Sequence, residues 1–290
     1  MIREPARAVA PWMVASIVCG TAVAGFLRVA AEDVHPLAMP FFRAAFALPL
    51  VLPWFVHRLR VAPTEALAPR APWRLHIARA VAMVAVVAFF VLAIERMSIA
   101  DATALALVGP VLAAAFGAML LGERAGAWGW AAIALGLGGA LIVVGPSGEA
   151  TAPGTAFGLL TAAAAAVDWL LLKRISRHDG MGRATALLTV LMVPFALPLA
   201  LLVWTWPGAS ALLALVGVAL ASTAAQVLAV RAFALGKLWH LGALGYLSIP
   251  LAAVMGWLFF AESVEPWTLV GGGVIVAASV ALAQFQAARE

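Results

Sequence analysis

Apolar runs about twenty residues long, separated by short polar turns, recur along the whole chain. A helix needs about 20 such residues to cross the hydrocarbon of a bilayer. Ten segments reach that length: residues 9–28, 36–56, 74–95, 101–121, 127–145, 155–173, 184–204, 210–233, 239–260 and 267–286. The longest links, 57–73 and 174–183, are polar and arginine-rich, and the rest are tight turns marked by Gly, Pro or Asp. Links this short make neighbouring helices antiparallel. The pattern predicts an all-α membrane protein, a bundle of ten transmembrane helices with no soluble domain.

One stretch occurs twice. Residues 101–124, DATALALVGPVLAAAFGAMLLGER, and 239–263, WHLGALGYLSIPLAAVMGWLFFAES, both place a proline near the middle of an apolar run and a glutamate at its end. Pro110 precedes Glu123 by thirteen residues and Pro250 precedes Glu262 by twelve, and a tryptophan, Trp128 or Trp267, follows each glutamate five residues on. The repeat divides the chain into residues 1–146 and 147–290, five spans in each. An odd number of spans per half makes the halves inverted relative to one another. Proline inside a helix removes a backbone donor and crowds the carbonyl four residues back, which hydrocarbon tolerates only where protein or a wet cavity covers the freed groups. Matching interruptions in two inverted halves point to a transporter with its site near mid-membrane. At 1.5 Å per residue both prolines are expected close to the midplane, about 15 Å down.

Composition agrees with a membrane protein: 65% of the 290 residues are hydrophobic and 11% charged, against about 45–50% and 25% in soluble domains. The net charge of +5 is spread in short bursts between apolar runs, not clustered on one solvated face as nucleic-acid binding requires. With the N-terminus inside, thirteen of the eighteen Lys and Arg fall at inner loops and two, Arg28 and Arg96, at outer ones. The positive-inside rule therefore predicts cytoplasmic termini, and the location expected is the bacterial inner (plasma) membrane. The single cysteine, Cys19, rules out an internal disulfide framework. The apolar run near the N-terminus is read as an uncleaved first span.

Residues 95–146, ERMSIADATALALVGPVLAAAFGAMLLGERAGAWGWAAIALGLGGALIVVGP, resemble the EamA repeat of the drug/metabolite transporter superfamily. The Ala-Asp-Ala-Thr-Ala-Leu start, mid-span proline, Leu-Gly-Glu-Arg end and closing Gly-rich span carry the likeness. Phe42-Arg43, His76, Arg79, Trp169, Gln226, Ala232, Tyr246 and Glu262 also look like the family pattern. Departures are Cys19-Gly20 in place of Trp-Gly, Asp168 where a small apolar residue is usual, and Ala261-Glu262 in place of Gly-Glu. The resemblance implies an inverted five-plus-five bundle, a central cavity lined mainly by helices 1, 3, 4, 6, 8 and 9, and movement of small metabolites, often amino acid export.

A charge at the centre of a span costs about 2.5–3.5 kcal/mol on insertion scales, so such residues face a cavity, find a partner or snorkel. Asp168, Arg43 and Arg79 are the candidate charge or coupling residues. Asp168 is read either as a proton carrier or as a carboxylate held by Lys173, Arg174 or water, and the arginines either as functional charges or as anchors. Thr21, Thr103, Pro110, Trp169, Gln226, Tyr246 and Pro250 are the candidate substrate-cavity residues, a mostly apolar and weakly polar set as small-molecule sites require. For each polar member an interhelical hydrogen bond is the competing role.

Enzyme chemistry finds little support. Gly145-Pro146-Ser147-Gly148 matches a membrane serine-protease motif, but His178 and His240 are expected about 30 Å away across the hydrocarbon. No second intramembrane aspartate, His-Glu-x-x-His, metal-ligand cysteine spacing or phosphate loop is present, so neither metal nor cofactor is expected. The expectation is a secondary transporter moving a small, neutral or zwitterionic solute such as an amino acid by alternating access, with export expected ahead of import. A membrane scaffold without transport, or an intramembrane enzyme, is the alternative. Lipid and the solute are the partners expected, with monomer and homodimer both open.

Overall fold

In a computed structural model of the chain, the structure describes residues 9–61, 71–109, 111–113, 116, 126–144, 152–175, 178–179, 181–235, 247–263 and 265–287. These form ten helices: α1 (Val9–Ala30), α2 (Met39–Val61), α3 (Trp73–Ile94), α4 (Ile99–Ala106), α5 (Gly126–Val144), α6 (Ala152–Ile175), α7 (Met181–Leu202), α8 (Ala209–Leu235), α9 (Ser248–Phe260) and α10 (Pro266–Ala287). No strand occurs among the described residues. Stretches within α1, α3, α6, α7 and α8 are long and apolar enough to cross a bilayer, and α2, α4, α9 and α10 contribute shorter apolar helices.

Prolines shape several of these helices. Leu107 and Val108 leave the α-helix at the end of α4, and Val108 N–H turns back to Leu105 O at 3.0 Å. The interruption comes just before Pro110, whose missing N–H cannot continue the ladder; Pro110 itself lies outside the described residues. Pro250 is the third residue of the described α9, and residues 236–246 before it, part of the expected span, lie outside the described residues. In a first turn the backbone N–H has no partner within the helix, so proline fits there without distortion. Interior prolines occur elsewhere, at Pro49 and Pro53 of α2 and at Pro194 and Pro198 of α7.

The helices pack by small residues. Ala80, Val84, Val87 and Val91 of α3 share the core with Ala162 of α6, and Ala24 and Leu27 of α1 share it with Ala211, Ala214, Leu215 and Val218 of α8. Within lipid, close approach of small side chains replaces the hydrophobic effect as the source of helix association. The main packing pairs are α1–α8, α3–α6, α5–α10, α2–α7, α3–α7, α2–α8, α4–α6, α1–α9 and α4–α9. Advancing every helix by five turns this set into itself: α1–α8 becomes α6–α3, α2–α8 becomes α7–α3, and α1–α9 becomes α6–α4.

Outward faces are greasy. Leu141, Leu202, Leu213, Phe259 and Trp206 are each at least 74% exposed. Apolar exposure spread over so many helices suits a surface solvated by acyl chains rather than by water.

Candidate functional site

Hydrogen bonds and ion pairs gather at the two ends of the bundle. At one end the C-termini of α1, α3 and α9 meet the N-termini of α4, α8 and α10. Arg28 Nη1 donates to Met97 O at 3.2 Å, and Glu262 Oε2 accepts the Ile99 N–H at 2.9 Å. Thr268 Oγ1 donates to Asp101 Oδ1, while Gly208 N–H donates to Asp33 Oδ2. Ser98 caps α4, its hydroxyl accepting the Asp101 N–H at 3.0 Å.

At the other end the N-termini of α3 and α7 meet the C-terminus of α6. Asp179 is buried and accepts from the Ala71 N–H at 3.1 Å and from Arg183 Nη1 at 3.0 Å, and shares a 3.0 Å hydrogen bond with His76 Nε2. One helical turn deeper, Arg79 Nε donates to Asp168 Oδ1 at 3.0 Å, and Arg79 Nη1 donates to Ala184 O at 3.1 Å. Only 7% and 5% of the Arg79 and Asp168 side chains are exposed. Asp168 is thus held by Arg79 from α3, while the Lys173 side chain, one of the partners expected from the sequence, lies outside the described residues.

Beside this pair lies a cavity of about 330 Å³ between α2, α7 and α8, at the small end of the range of about 300–1,000 Å³ usual for small-molecule sites. Its polar lining is Arg43 of α2, Thr185 and Thr189 of α7, and Ser222, Thr223 and Gln226 of α8. Alanine, leucine, valine and methionine side chains make up most of the remaining wall. Thr189 and Ser222 spend their hydroxyl protons on the carbonyls of Thr185 and Ala219. Their oxygens keep acceptor capacity.

Of the sequence candidates, Arg43 and Gln226 line this cavity, and Asp168 and Arg79 form the adjacent buried pair. Thr21 is buried in α1 with its hydroxyl donating to Ile17 O at 2.9 Å. Thr103 is half-buried in α4, Trp169 stands 55% exposed on α6, and Pro250 is exposed in α9. None of these four borders the cavity. Pro110 and Tyr246 lie outside the described residues. Sequence reasoning missed Thr185, Thr189, Ser222 and Thr223. A periodic signal was present, for Thr185 and Thr189 sit one turn apart on α7, and Ser222 and Gln226 one turn apart on α8.

Apolar-faced helices around a partly open pocket, with buried ion pairs beside it, are the features of a multi-pass membrane protein with room for a small solute. Residues 8–145 match the EamA-like transporter family. A protein named riboflavin transporter in Rhizobium johnstonii is 30% identical over 295 aligned positions, covering 99% of this chain and 95% of the relative. The Pseudopaline exporter CntI of Pseudomonas aeruginosa is 31% identical, covering 66% of this chain and 68% of its own. A solved crystal structure with 19% identity covers 99% of this chain and 100% of its own at a TM-score of 0.66, which establishes a shared fold. The chain belongs to the EamA-like transporter family of the drug/metabolite transporter superfamily, a family of transporters and not of enzymes.

Proposed function

We propose that the chain is a ten-span secondary transporter that carries a small organic metabolite across the bacterial plasma membrane by alternating access. Its halves are residues 1–146 and 147–290, inverted relative to one another, with both termini cytoplasmic. The observation that carries this reading is the cavity of about 330 Å³ bounded by α2 from one half and α7 and α8 from the other. A pocket walled by both halves changes its access when they rock. The packing scheme that maps onto itself on a five-helix shift supports the repeat, as does the family match, which ends at residue 145. A scaffold would have its centre filled by side chains.

Mixed apolar wall and hydroxyl lining suit a neutral or zwitterionic solute, from an amino acid to a vitamin in size. Outward movement is supported by the likeness to the Pseudopaline exporter CntI, and riboflavin belongs in the first screen because a relative named for it aligns over almost the whole chain. The test is counterflow in proteoliposomes with amino acids, nucleosides and vitamins as competitors. Saturable, competed flux of at least one solute is expected; protein-independent leak for every class would overturn the reading.

A further inference from the structure

Two arginines and one carboxylate meet beside the cavity, and among the described residues only Arg79 of the two arginines has a hydrogen-bonded acceptor. Asp168 bonds Arg79 at 3.0 Å, and Arg79 spends a second donor on Ala184 O. The next acid, Asp179, is taken up by Arg183, His76 and the Ala71 N–H. Arg43 lies within Coulombic reach of Asp168 but forms no hydrogen bond or ion pair with any described residue. Its side chain forms part of the cavity lining, among Thr185, Thr189 and Gln226.

A guanidinium carries five donors in a planar fork, cannot shed its proton, and suits a carboxylate or phosphate in a two-pronged bond. Held in a mostly apolar wall, an unanswered positive charge is costly, and a bound anion removes that cost. The geometry points to Arg43 as the anchor for an anionic oxygen group, carboxylate or phosphate, on the transported solute, with Thr185, Thr189 and Gln226 contacting its polar remainder. The assignment rests on the transport reading and narrows it: a zwitterion or anion fills the site, and a neutral solute leaves Arg43 unanswered.

The test measures binding to the full chain in detergent, by tryptophan fluorescence or thermal shift, so that it is independent of flux. Probes come in pairs that differ only at the anionic group: phenylalanine against phenylalaninamide and phenylacetate against phenylacetamide for carboxylate, and flavin mononucleotide against riboflavin for phosphate. The anionic member of at least one pair is expected to bind about tenfold or more tightly, a difference of about 1.4 kcal/mol. R43Q should abolish that preference. R43K, which keeps the charge without the fork, should weaken it while preserving its direction, and decides the matter if R43Q does not fold. Equal affinity within every pair, absence of binding by all six probes, or a preference unchanged in both variants would overturn the assignment. Arg43-dependent binding without flux in proteoliposomes would leave the assignment standing and overturn the transport reading instead.

Discussion

Glu262 Oε2 accepts a 2.9 Å hydrogen bond from the backbone N–H of Ile99, 163 residues away in sequence. Ile99 opens α4, so the carboxylate from the end of α9 sits on a helix N-terminus, where unpaired N–H groups and the helix dipole favour negative charge. Glu262 Oε1 is buried, 3.7 Å from Arg28 Nη2, and has no hydrogen-bond donor among the described residues. The bond ties the two expected halves together at the Arg28 end of the bundle.

This carboxylate makes stability depend on pH. Burial raises its pKa above the usual 4.5, the charge of Asp101 pushes the same way, and the Ile99 N–H and Arg28 pull against both. A group raised on folding binds its proton more tightly in the folded chain, so its stabilisation is complete below about pH 4.5 and is lost as pH climbs through the raised value. Glu262→Gln keeps an acceptor for Ile99 and removes the titration. Melting temperatures measured in detergent from about pH 4 to about pH 8 should show the wild type losing ground to the glutamine variant as pH rises. A constant gap between the two would contradict this.

Ala261, next to Glu262, has φ 51°, and it is the only non-glycine residue with positive φ among those described. The Glu262 N–H bonds Gly256 O at 3.0 Å, closing the end of α9 through this left-handed residue. A β-carbon in that conformation costs about 1–2 kcal/mol, and the sequence departs from its family's Gly-Glu at this position. Ala261→Gly should therefore raise stability by about 1 kcal/mol, read as a higher melting temperature with the Ile99–Glu262 tie intact.

Asp168 and Arg79 form a buried pair, and removing one partner strands the other. Asp168→Asn should cost about 3–5 kcal/mol, while Asp168→Asn with Arg79→Met should recover a large part of that loss. A double-mutant cycle on melting temperature isolates the coupling. The same Asp168→Asn variant, reconstituted, tests whether Asp168 carries a proton: pH-dependent uptake that persists in full would assign the pair to structure alone.

The helical class and membrane setting were legible because apolar runs of spanning length are a composition signal that survives any packing arrangement. The charged residues that the structure places at the candidate site stand out in the sequence as well, since a span tolerates few charges and Arg43, Arg79 and Asp168 lie against an apolar background. Thr185, Thr189, Ser222 and Thr223 did not stand out, because a hydroxyl in a membrane helix can bond its own backbone and carries no outward sign of facing a pocket. Pro250 is the third residue of the described α9, while residues 236–246, part of the span expected around it, lie outside the described residues.

The interior prolines of α2 and α7 offer a sharper test of hinge motion than Pro250 does. Pro49 and Pro53 are four apart on α2, Pro194 and Pro198 are four apart on α7, and the two helices pack together and both border the cavity. Each interior proline frees the carbonyl four residues back and softens its helix. Replacing Pro49 and Pro194 with alanine restores a backbone bond in each helix. The double variant should melt higher by an amount on the order of 1–3 kcal/mol and transport more slowly by about tenfold, the effect of about 1.4 kcal/mol on a conformational barrier. Pro250→Ala, in a first turn, should change neither by more than a few tenths of a kcal/mol. Flux in proteoliposomes that stays at the wild-type rate in the double variant, or falls as far in Pro250→Ala, would place the moving parts elsewhere in the bundle.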